Sequence, residues 1–124
     1  LHSFAGLNVK LTQGRFFMKD YSIEFEAIPW QKATEGIKYK EFNYENKKIK
    51  LVEFNEKLVE KEWCKKGHFG YVLEGIAEVE FFNGKTCIFK KGDLILIPEG
   101  EKDKHKTKIE KGKKGLVIFF ENIE

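Results

Sequence analysis

The stretch Gly67-His68-Phe69-Gly70-Tyr71-Val72-Leu73-Glu74-Gly75-Ile76 decides how this chain folds. It mixes β-favouring residues with three glycines and leads into Ile76 to Phe82, where apolar and charged residues alternate. Alternation with period two is the mark of a half-buried strand, because successive side chains point to opposite faces. Asn83-Gly84 follows and predicts a tight two-residue hairpin, with Thr86 to Phe89 as the return strand. Seventeen residues after Gly75 comes Gly92-Asp93-Leu94-Ile95-Leu96-Ile97-Pro98-Glu99-Gly100, a turn, a short apolar strand and a second turn.

Further from this centre the pattern persists. Tyr21, Ile23, Phe25 and Ala27 alternate with Ser22, Glu24 and Glu26 until Pro29-Trp30 interrupts them. Strands are expected at Ile37 to Tyr39, Lys48 to Phe54, Leu58 to Cys64 and Leu116 to Phe120. Only Trp30 to Glu35 reads as a helical turn. Many short strands at close spacing predict an all-β sandwich or barrel.

The 124 residues suit one domain with a sizeable core, and 41% of them are apolar. Met18, the only methionine, divides the chain into an N-terminal arm (1–17) and a barrel domain (18–124). The arm reads either as an appended or upstream extension or as a genuine arm whose Phe16-Phe17 packs onto the body. No apolar run approaches the ~18 residues of a membrane helix, and no leader of the secretory kind is visible. Two cysteines, Cys64 and Cys87, are too few for a disulfide framework, so a reduced, cytoplasmic setting is expected. The net charge is +3, and the 23 basic residues include one arginine, Arg15. Base-reading proteins lean on arginine, and the seven lysines of Lys102 to Lys114 are diluted by acids, so nucleic acid is not an expected partner.

The two glycine-bracketed stretches resemble the two motifs of the cupin family, over roughly residues 48 to 120. The first motif of that family reads G-x5-H-x-H-x3-4-E-x6-G and the second G-x5-P-x-G-x2-H-x3-N. With Gly75 as the closing glycine of the first, its Glu/Gln position falls on His68 and its two histidine positions on Cys64 and Glu62. In the second, Gly92, Pro98 and Gly100 fit, the histidine position falls on Asp103 with His105 two residues later, and the asparagine position is Thr107. The resemblance implies a jelly-roll β-barrel, or double-stranded β-helix, with a metal or small molecule in its mouth. The scaffold positions match well; the ligand positions are altered.

Residues two apart on a strand share a face, so Glu62 and Cys64 are expected to point together, as are Asp103 and His105. The implied metal set is Glu62, Cys64, His68 and His105, with Asp103 as the alternative to His105. Thiolate, imidazole and carboxylate together suit zinc or iron better than magnesium or calcium. Taken singly, each side chain also fits a structural role: a buried thiol, a turn histidine, a solvated acid. Trp30 and Trp63 read as core or dimer-interface residues and Glu74 as part of a turn. No nucleophile elbow, P-loop or dinucleotide fingerprint is present.

Two functions follow from the resemblance. One is a non-catalytic or sensory domain binding a small molecule in the barrel. The other is a metal-dependent enzyme of the isomerase, dioxygenase or decarboxylase type, acting on a small polar metabolite through the non-standard ligand set. Homodimerisation through edge strands or an exchanged N-terminal strand is expected as well.

Overall fold

The computed structural model describes residues 18–122, so the arm 1–17 lies outside the described residues. Two short strands, β1 (Met18–Lys19) and β2 (Ser22–Ile23), form a small hairpin, and a 3-10 turn follows at Phe25–Ala27. The main sheet comprises β3 (Gln31–Thr34), β4 (Ile37–Tyr44), β5 (Lys47–Asn55), β6 (His68–Phe81), β7 (Thr86–Lys90), β8 (Leu94–Ile97), β9 (His105–Lys108) and β10 (Lys114–Asn122). A second 3-10 turn, Glu101–Asp103, precedes β9. Among the described residues there is no α-helix, and no helix is long and apolar enough to cross a membrane.

Strand β6 is the spine. The antiparallel order is β3-β4-β5-β10-β6-β7, and β8 and β9 pair with β6 off that path. Its first half, His68 to Tyr71, pairs with β8, and Gly70 to Gly75 pair with β10. Its second half, Ile76 to Phe81, pairs with β7 and β9. One long strand thus serves two sheets, which curl around a shared interior.

A bulge lets it do so. Leu116 pairs with Glu74 but Val117 with Val72, leaving Leu73 as an extra residue. Side-chain period two would otherwise send Val72 and Val79 to opposite faces; the inserted residue resets the phase, and both are buried. They join Val52, Ile95, Ile97 and Val117 in the main core. A smaller cluster of Leu58, Ala77 and Ile109 seals one end.

Four local expectations are corrected. Leu58 to Cys64 is a loop, because Asn55 starts a turn: its carbonyl accepts from Leu58 N at 3.1 Å and its Oδ1 from Lys57 N at 2.8 Å. Only Cys64 pairs with the sheet through its backbone, by an isolated bridge to His105. Second, the segment expected to hold a helical turn is strand β3, paired with β4. Third, the 3-10 turn lies instead at Phe25–Ala27, where alternation predicts a strand. The buried Lys40 ammonium donates to the carbonyls of Phe25 and Glu26 at 3.3 and 3.4 Å and so rewards the turn. Fourth, the β6–β7 loop is longer than two residues. Gly84 N donates to Phe81 O at 2.9 Å, and only Gly84, not Asn83, takes a positive φ there.

Candidate metal centre

The backbone of Cys64 is locked to that of His105. Cys64 N donates to His105 O at 2.8 Å and His105 N to Cys64 O at 2.9 Å. Directly opposed residues of an antiparallel pair project to the same face, so thiol and imidazole meet. His68, the first residue of β6, comes from the neighbouring strand. Its Nε2 lies 4.0 Å from Cys64 Sγ, and its ring stands 5.2 Å from that of His105 at 72°.

The adjoining turns hold this arrangement in place. Gly100 N donates to Lys65 O at 2.8 Å, and the Glu101 carboxylate is clasped by Lys104 and Lys65. Hydrogen bonds from Lys104 and Lys65 hold that carboxyl down to about 2. Gly70 contributes by close approach. A Cβ there would lie 2.5 Å from Ile118 O and 2.8 Å from a ring carbon of Phe119, the ring that packs on His68 at 5.2 Å.

Ligand atoms of Cys64, His68 and His105 all lie within 4.8 Å of one another. Tetrahedral coordination at zinc-like bond lengths needs ligand atoms about 3.4 Å apart, so side-chain rotation would close the set. His105 is buried, and its Nδ1 lies 3.0 Å from Asp103 O. That bond assigns the proton to Nδ1, which donates to the carbonyl and leaves the Nε2 lone pair free. Burial, then the neighbouring His105 and Lys66, lowers the His68 pKa to about 4, so its imidazole is neutral near pH 7. Two imidazoles and a free thiol fit a zinc- or iron-type ion.

The fourth expected ligand does not join them. Glu62 is exposed on the loop, outside the cavity lining, because that segment is not a strand and the period-two rule does not apply to it. Asp103 likewise keeps its carboxylate out of the group; the 3-10 turn turns it aside and leaves its carbonyl to orient His105. Trp63 is also remote from the cavity lining and stacks edge-on against Phe82 at 5.3 Å.

The three side chains face a cavity of about 240 Å³. Val52, Val79, Ile95 and Val117 give it apolar walls. Sequence reasoning missed four charged lining residues, Lys50, Glu60, Lys66 and Glu121. Lys50 was the most legible of them, since it shares a strand face with Val52 and Phe54 at two-residue spacing. Glu60 is engaged: its carboxylate accepts from Thr107 N.

Residues 62–120 match the cupin domain by sequence. Among solved structures, the fold is similar to the polyketide cyclase RemF from Streptomyces resistomycificus, with a TM-score of 0.72, 16% identity, and 86% of this chain and 81% of that one covered. It is also similar to KdgF from Halomonas sp., with a TM-score of 0.63, 22% identity, and coverage of 80% and 91%. A third likeness is Fe(II)-HppE with an alternative substrate, at a TM-score of 0.61 and 15% identity; 78% of this chain covers 57% of that one. At these identities the likeness is one of fold. No curated protein matches the chain by sequence.

Proposed function

Because this chain carries a cupin domain, we propose that its barrel binds a small molecule beside a divalent metal ion held by Cys64, His68 and His105. The observation that carries this reading is the convergence of one thiol and two imidazoles on the wall of a mainly apolar cavity. Fe(II) in the structurally similar HppE supports iron as one candidate, and the thiol supports zinc as another. A bound ion would polarise an oxygen of the ligand as a Lewis acid. Cys64, His68 and His105 would hold the ion together, and the mainly apolar walls would shield it from water.

Elemental analysis of protein purified without added metal tests the assignment. About one zinc or iron per chain is expected, falling below a tenth in Cys64→Ala and His105→Ala. Equal metal content in wild type and both variants would sink it. A second reading, metal-dependent catalysis, is favoured by the count of protein ligands. Sites with three protein ligands keep a coordination position open for substrate or water.

We also propose that the chain is a homodimer, through a sheet face rather than an edge. Phe69 pairs with Leu96 and Tyr71 with Leu94 across β6 and β8, and all four side chains are exposed, as is Phe120 beside Phe69. A contiguous apolar face of this kind suits a partner, and a two-fold interface needs only the same patch on each copy. In analytical ultracentrifugation the wild type is expected to sediment as a dimer and Leu94→Lys/Leu96→Lys as a folded monomer. A wild type that stays monomeric at high concentration would refute the dimer.

A further inference from the structure

We propose that Lys50 anchors the carboxylate of a small, mainly apolar ligand within the cavity. The inference rests on the reading that the cavity takes a small molecule, but not on the metal. It follows from the pairing of the charged groups on this interior. Lys66 is joined to Glu121 at 3.2 Å, and the Glu60 carboxylate receives the Thr107 N–H. Lys50 differs. It is half-buried and lines the cavity, yet among the described residues no carboxylate lies within ion-pair distance of it. Its ammonium rests 4.7 Å from the centre of the Tyr39 ring, whose hydroxyl is turned away to donate to Gln31 Oε1 at 3.3 Å.

A half-buried cation that rests on an aromatic face and, among the described residues, has no carboxylate within ion-pair distance gains most from an anion that arrives with the ligand. Most of the remaining wall is aliphatic or aromatic, which favours an apolar body for the rest of the ligand. A carboxylate at Lys50 would thus leave that body lying across Val52 and Val117 towards His68.

Isothermal titration of chelator-treated protein with benzoate, and with benzamide as its neutral counterpart, tests the inference. Benzoate is expected to bind at least about tenfold more tightly than benzamide, the scale of one charge-assisted contact. Lys50→Met should abolish that preference without lowering the melting temperature greatly, and Lys50→Arg should keep it. Equal binding of the two ligands, or undiminished benzoate binding in Lys50→Met, overturns the role of Lys50 while leaving a small-molecule cavity. If neither ligand binds, the small-molecule reading falls with it. Because the titration is run without metal, loss of the metal assignment would not change its outcome.

Discussion

Lowering the pH from 6.5 to 4 is expected to destabilise the metal-free protein by about 2–3 kcal/mol through His68 alone. In the folded chain the ring takes a proton only near pH 4, chiefly because burial strips water from it, and then because His105 and Lys66 lie close. In the unfolded chain it titrates at the ordinary value of 6.5. Between these values the unfolded state binds more protons, so stability falls as the pH falls, and the penalty levels off below pH 4. A shift of this size corresponds to roughly 3 kcal/mol, trimmed because part of the ring meets solvent. The measurement is a set of urea midpoints across this range for wild type and His68→Gln. Their difference should grow steadily towards acid; parallel profiles would show that the imidazole is not held neutral. The same neutrality makes His68 a ready donor to a metal.

Gly75→Ala should be the most damaging single-methyl change on the spine of the fold. Gly75 sits at φ +77°, and a Cβ there would lie 2.0 Å from Lys114 O, inside the backbone of the paired strand β10. The left-handed conformation alone costs an alanine about 1–2 kcal/mol. The collision adds more, since neither partner is a flexible side-chain tip, and a total of roughly 4 kcal/mol is expected. That is a large part of the ~5–15 kcal/mol that holds a typical domain folded. Gly84→Ala is the control. Its φ is +98° but nothing lies within 4 Å of the new methyl, so only the conformational part should appear, about 1 kcal/mol. Chemical denaturation of both variants separates the two contributions. Equal losses would mean that the β6–β10 contact yields easily.

Gly75 also illustrates how much of the fold was legible. Its place at the end of the first motif, and the spacing of Gly92, Pro98 and Gly100, carried the resemblance that implied the barrel, and turns of this kind demand particular residues whatever surrounds them. Alternation located most of the strands for a similarly local reason. It misplaced Leu58 to Cys64, where apolar spacing imitates a strand but the Asn55 turn has already redirected the chain. It also misplaced Phe25–Ala27, where the turn is held by Lys40 from strand β4.

The site divides along the same line. Cys64, His68 and His105 were candidates because the resemblance to the cupin motifs set them on or beside ligand positions. Choosing among the candidates depended on contacts between segments far apart in sequence. Glu62 was included because a strand was assumed; the loop dismissed it. Asp103 and His105 were equivalent until the 3-10 turn and the Cys64–His105 bridge pointed one inward and gave the other's carbonyl to hold it. What the residue order determined by itself was the strand-and-turn grammar of the barrel, because that grammar is set by local sterics and side-chain period. Which side chains share the cavity, Lys50 among them, was decided by tertiary structure, since strand register and sheet curvature bring together residues that no local rule relates.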